Sequence, residues 1–193
     1  MKIRAFPSVF VPAVLFVLGG ATAGAIEETK PESQEETVVI GTTTREQIEA
    51  AAPEWVQAEV DAQPMRETAR ELAAVEPGAE VTVFLGTWCS DSRREVPRFW
   101  KALAEAGGDV PFEIRYVGVD REKKEPAGAL AENGVRYLPT FVVRRDGRET
   151  GRIVETAPNG VERDLLALLT GKARGVLTTR EDVTAEGSAK PPG

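Results

Sequence analysis

The stretch Gly86-Thr87-Trp88-Cys89-Ser90-Asp91-Ser92-Arg93-Arg94-Glu95-Val96-Pro97 decides how the chain is read. Before it runs the apolar segment Val81-Thr82-Val83-Phe84-Leu85, and after it Val96, Phe99, Trp100, Leu103 and Ala104 recur at helical spacing. A short apolar run bounded by turn residues reads as a buried strand, and spacings of three and four read as one face of a helix. Cys89, the only cysteine in 193 residues, thus falls where a strand ends and a helix begins. Helix N-termini present unpaired N–H groups and partial positive charge, both of which favour a thiolate. The thiolate is the nucleophilic form. Arg93 and Arg94, one turn in, act in the same sense, and Asp91 opposes them by like charge. The alternative for Cys89 is a buried packing residue, since cysteine is among the most frequently buried types.

Outward from this point the chain alternates strand and helix patterns. Helical stripes are expected over 45–60, interrupted at Pro53, over 65–75, ended by Pro77-Gly78, and over 91–106, stopped by Gly107-Gly108. A strand is expected over 112–119, a short helix over 126–133 closed by Gly134, and a strand over 140–143. Asp146-Gly147 reads as a hairpin turn leading into a partner strand over 151–154, and 158–169 as a final helix. The strand–helix–strand start predicts parallel pairing through a crossover helix, and the hairpin makes the sheet mixed. The fold class is therefore α/β, a central mixed sheet flanked by helices.

The ends read differently. Lys2 and Arg4 precede an apolar run over 9–18, and Ala21-Thr22-Ala23 and Ala23-Gly24-Ala25 are small-residue cleavage patterns. Residues 1–25 are expected to be a secretory signal peptide. The apolar run is well short of the roughly 20 residues that a membrane span needs. Residues 26–37 are Glu-rich and nearly free of apolar side chains, as a disordered linker would be. Residues 38–77 are expected to form an N-terminal extension with the first strand and helices, 78–174 the core domain, and 175–193 a flexible tail. Loss of 1–25 removes two basic residues and no acidic one, so the exported chain would carry about −9 rather than −7. That balance disfavours nucleic acid and anionic membrane surfaces as partners.

Composition also excludes chemistries. With no histidine and one cysteine there is no Ser-His-Asp or Cys-His arrangement and no thiolate-rich or imidazole metal site. No phosphate-cradling glycine loop with its lysine is present. Neither a metal nor another cofactor is expected. The mixed-charge run 120–125 reads as a solvated loop.

Taken together, Trp88-Cys89-Ser90-Asp91-Ser92, Pro97 eight residues after the cysteine, Leu138-Pro139-Thr140 and Asp146-Gly147 resemble the thioredoxin family in order and spacing. The W-C-x-x-C motif of that family stands here with serine as its last residue. The form GTWCSDSRREVPRF is similar to that of a group of exported bacterial thioredoxin-like proteins. The resemblance covers residues 78–169. It implies that Cys89 is the attacking thiol and that Trp88 forms one wall of the substrate surface, where plain packing is the alternative. It further implies that Pro139 is cis and that Leu138, Pro139 and Thr140 border a groove for an extended peptide. Ser92, standing where the family has its resolving cysteine, can donate a hydrogen bond to the thiolate but cannot resolve a mixed disulfide. Asp91 and Arg93 would tune the thiolate. The position at which thioredoxins often bury an acid is Val83.

Three readings follow for function. In the first, Cys89 exchanges with disulfides and an outside thiol resolves the adduct. In the second, the domain binds peptide clients in the groove beside Pro139 and needs no redox chemistry. In the third, it is a structural domain with Cys89 merely packed. The partners expected are protein or small-molecule thiols and disulfides, with the protein exported to a periplasm or the medium as a monomer.

Overall fold

Three hydrophobic strands set the centre of the molecule, and the computed structural model describes them within residues 37–183. The proposed signal peptide, linker residues 26–36 and tail residues 184–193 lie outside the described residues. Strand β2, Ala79–Leu85, pairs in parallel with β3, Phe112–Gly118, and antiparallel with β4, Thr140–Arg145. The β4–β5 hairpin, with β5 at Arg148–Val154, turns at Asp146 and Gly147, both with positive φ of 53° and 72°. Two consecutive positive φ angles are what a two-residue hairpin turn requires, and Asp-Gly supplies them at little cost. A short β1, Gly41–Thr43, adds antiparallel to β3, and β6, Gly175–Leu177, adds parallel to β5. The sheet order is β1-β3-β2-β4-β5-β6.

Period-two alternation divides β2 and β4 between two cores. Val81, Val83 and Leu85 of β2 and Phe141 and Val143 of β4 face one side. Phe84 and Val142 face the other. The first side is the larger. The crossover helix α4, Ser90–Glu105, packs there through Val96, Phe99 and Trp100, and α6, Val161–Leu169, through Val161, Leu165 and Leu168. The second side is covered by α5, Ala127–Asn133, through Leu130. Gly134 ends α5 in the left-handed region at φ 58°, as its place after the apolar stripe foretold.

Residues 38–77, expected as an extension, complete the principal core instead. Helices α1, Arg45–Ala51, α2, Glu54–Asp61, and α3, Arg66–Glu71, with a 3₁₀ turn over Leu72–Ala74, bring in Ile48, Trp55, Ala69 and Leu72. All four are fully buried. Trp55 lies 5.8 Å from Trp100 between ring centroids, and the Arg45 guanidinium caps Trp100 from 4.7 Å. The single stripe expected over 45–60 is two helices because Pro53 excludes Ala52 from helical geometry; Ala52 sits at φ −138° and ψ 69°. A capping box between Thr44 and Gln47 starts α1.

The chain beyond 174 also departs from expectation. A flexible tail was expected from 175, yet Gly175–Leu177 pairs with Gly151, Arg152 and Ile153. The approach is close: a Cβ on Gly151 would lie 2.6 Å from the Gly175 carbonyl oxygen. Gly-Val-Leu is too short to show strand alternation, and that conceals this edge strand from sequence. No helix among the described residues is long and apolar enough to cross a membrane.

Candidate functional site

The β2–α4 junction is a tight turn that sets Trp88 and Cys89 side by side at the end of the sheet. Gly86 is required there by close approach: a Cβ on it would stand 2.8 Å from the Trp88 ring. The Trp88 indole donates through Nε1 to the Val119 carbonyl at 2.9 Å, and its half-buried ring packs on the smaller core. The Arg121 guanidinium stands 5.9 Å from that ring's centroid. Trp88 packs on the smaller core while part of its side chain stays exposed. On the outer side, the Thr87 hydroxyl donates to the Thr37 carbonyl at 2.9 Å, so residue 37 is seated on the turn rather than in a linker.

Cys89 is the N-cap of α4, with extended φ and ψ of −90° and 124° and no side-chain cap hydrogen bond. It is half-buried, neither sealed in a core nor fully in water. A 16-residue helix with no side-chain cap aims its first N–H groups and its dipole at this position. The thiol lies 3.5 Å from the Leu138 carbonyl oxygen and donates to it. The Leu138–Pro139 peptide is cis. Leu138 itself is buried in the smaller core, and the Thr140 hydroxyl donates to the Tyr137 carbonyl at 2.7 Å. Among the described residues no hydrogen-bond partner is seen for the Leu138 N–H.

Ser92 is fully buried beneath the turn, and its oxygen accepts from the Gly86 N–H at 3.2 Å. That contact ties the first turn of α4 to the end of β2. Among the described residues its recorded bond is to Gly86, not to Cys89. Asp91, expected to oppose a thiolate, is engaged by Arg94, whose Nη1 donates at 2.7 Å. Arg94 also donates to Glu95 and to the Thr156 hydroxyl, at 3.0 Å and 2.7 Å. Burial raises the Glu95 carboxyl above its ordinary value, and Arg94 and Arg98 pull against it. Arg93 is exposed and makes no ion pair among the described residues. It borders a hollow of about 580 Å³ with Ser90, Arg94, Arg98, Asp61 and Gln63. Val83 is apolar and fully buried in the principal core. Asp120 anchors the 120–125 loop by accepting from the Lys124 and Glu125 N–H groups.

Sequence reasoning missed Gly86, Tyr137, Glu155 and the segment after β6. Gly86 was visible, being a glycine two residues before a tryptophan. The others meet the site only through contacts at long sequence separation.

This arrangement defines the class. A mixed sheet of order β1-β3-β2-β4-β5-β6, a cysteine at the start of the crossover helix and a cis-proline facing it make a thioredoxin-like fold, α/β in class. No family model matches the chain. Among solved structures it is similar to a protein of unknown function from Pseudomonas aeruginosa, at 16% identity over 68% of this chain and 88% of that one, with a TM-score of 0.45. It is also similar to a thioredoxin from Halobacterium salinarum, at 20% identity over 56% and 88%, TM-score 0.37. A thioredoxin from Fasciola hepatica matches at 28% identity over 50% and 82%, TM-score 0.34.

Proposed function

We propose that the protein is an exported monothiol thiol–disulfide exchanger acting through Cys89. The observation that carries this reading is the sole thiol, half-buried at an uncapped helix N-terminus and 3.5 Å from the carbonyl that precedes cis-Pro139. In the reaction, the Cys89 thiol gives its proton to solvent and its sulfur attacks one sulfur of a substrate disulfide. A new disulfide joins Cys89 to that half, and the other half leaves as thiolate. An outside thiolate then attacks the mixed disulfide and returns Cys89 as thiolate, so no net electrons stay on the protein. Ser92 holds the turn in shape and resolves nothing. The Leu138–Pro139 segment beside Cys89 is where an extended substrate backbone would lie.

Trapping tests this reading. Mature protein is exposed to a peptide disulfide and quenched with acid. The expected product is one mixed disulfide on Cys89, absent in Cys89→Ser and released by added glutathione. Absence of any adduct on native wild type removes the reading.

A second reading uses the same cis-Pro139 segment: a peptide-binding module for which Cys89 is dispensable. It requires peptide affinity unchanged in Cys89→Ser, measurable by calorimetry. Export is supported by the basic, apolar and small-residue pattern of 1–25, and mass spectrometry of the exported chain checks it by an N-terminus near residue 24 or 26.

A further inference from the structure

The loop that carries Leu138 and Pro139 is gripped from outside by the chain that follows β6. The Arg180 guanidinium stacks on the Tyr137 ring, 4.1 Å from its centroid. Its Nη1 donates to Glu155 at 2.7 Å, and its Nε and Nη2 donate to the two oxygens of Asp182 at 2.8 and 2.7 Å. The Tyr137 hydroxyl closes the ring by donating to Asp182 at 3.0 Å. The Thr178 hydroxyl fastens the segment to the Val154 carbonyl at 2.8 Å. On the inner side, the Glu155 N–H donates to the Pro139 carbonyl at 2.8 Å. Tyr137 and Glu155 thus bracket the Leu138–Pro139 step, one by chain and one by hydrogen bond. Arg180 holds both.

We propose that residues 178–183 are a positioning strap, with Arg180 as its positioning residue, that holds the 137–139 backbone in register with Cys89 for an extended peptide disulfide. This rests on the exchange reading above and names the substrate class that the site is built for. The reasoning turns on where the contacts fall. Arg180 is half-buried and Asp182 exposed, at 32% and 52% of their side chains, and ion pairs this open to water add little to global stability. Here, though, a bidentate pair, a ring stack and a hydroxyl all converge on one loop. A small disulfide needs only the thiol. A peptide must also lie along the 137–139 loop, so displacement of the loop falls on peptides alone.

Two disulfides that release the same chromophore separate these effects. One is Ellman's reagent; the other is an extended peptide whose single cysteine carries the same thionitrobenzoate group. In each, Cys89 sulfur bonds to one sulfur and thionitrobenzoate leaves as thiolate. Arg180→Ala is expected to slow the peptide reaction roughly tenfold, within the hundredfold that about 1 Å of misplacement can cost. Its rate with Ellman's reagent should stay within about twofold, since Arg180 touches neither Cys89 nor α4. Tyr137→Phe, which keeps the stack and loses the hydroxyl bond, should fall between, and Arg180→Lys should recover part of the loss. An unchanged peptide rate in Arg180→Ala overturns the strap, as does an equal fall with both reagents. Wild type that reacts with Ellman's reagent and not with the peptide overturns the strap and leaves Cys89 as a nucleophile. Wild type inert to both overturns the exchange reading with it.

Discussion

Near Cys89 the charges that could act on the thiol's reactivity include Asp91 and Arg94, and these two are engaged with each other. Asp91 would oppose an anion at Sγ, but Arg94 holds it in a 2.7 Å ion pair. Arg94→Ala should therefore slow alkylation of native Cys89 at pH 7, and Asp91→Asn should speed it. Both changes are expected at about two- to fivefold, the size of a charge effect of 0.3–1 kcal/mol at a helix N-terminus. Equal rates in the two variants would show that the helix alone decides. Ser92 lends itself to a sharper change. Ser92→Cys restores a resolving thiol at the family spacing, and the expected outcome is release of the trapped peptide without added glutathione. A mixed disulfide equally persistent in Ser92→Cys would show that the buried position beside Gly86 withholds the second sulfur. That Cys89 stands where a strand gives way to a helix was legible in sequence, because strand, turn and helix follow one another directly; that Pro139 faces it came from the family resemblance. The Asp91–Arg94 pair was not anticipated, although the two stand three residues apart on the helix.

At the level of elements, α4 is joined to α3 and α6 by one buried carboxylate. Glu162 has no exposed side-chain surface and accepts twice from Arg98, at 2.8 and 2.9 Å, and once from the Met65 N–H at 3.0 Å. Burial acts to raise its carboxyl, but these hydrogen bonds outweigh burial and hold it below its ordinary value of 4.5. A lowered folded value means that the contribution is complete above the unfolded value and is lost as pH falls through the folded one. Glu162→Gln should cost about 3 kcal/mol at pH 7, at the low end for breaking a buried pair because Arg98 keeps part of its side chain in water. Urea denaturation at a series of pH values checks this: the gap between variant and wild type should narrow as pH drops below about 4.5. A constant gap would mean that Glu162 contributes by shape alone. Glu95, on α4, runs the other way. Its carboxyl is raised, so its contribution is complete below the unfolded value and declines as pH rises through the raised one. Sequence predicted these helices from their apolar stripes. It gave no sign that an acid on α6 faces an arginine 64 residues earlier.

For the molecule as a whole, the segment after α6 is structural at both its stations. β6 covers the outer edge of β5, and the strap beyond it reaches the site. Truncation after residue 174 is expected to lower Tm by about 4–8 °C, which for a domain of this size corresponds to roughly 2 kcal/mol. Truncation after 183 should leave Tm and exchange rates as they are. Differential scanning calorimetry distinguishes the two, and an unchanged Tm for the shorter form would reduce β6 to a passive edge. The Asp182 carboxyl, held down to about 2 chiefly by Arg180, implies that the strap's ionic grip persists through mildly acidic conditions and lets go only as pH falls toward that value.

Only the family resemblance pointed to a cis-proline opposite Cys89. The sequence by itself determined the strand–helix alternation, the α/β class and the address of Cys89. Each is written in short-range terms: period-two and period-3.6 apolar patterns, glycine and proline punctuation, and a motif within one turn. Tertiary structure alone decided that residues 38–77 complete the core, because Trp55 meets Trp100 only after α2 folds onto α4. It also decided that the chain after 174 is a sixth strand and a strap over the Leu138–Pro139 loop. Those contacts join polar and charged side chains tens of residues apart. No periodicity marks such a pairing in advance, since an exposed arginine on a tail and one stacked on a tyrosine read alike until the sheet has brought them together.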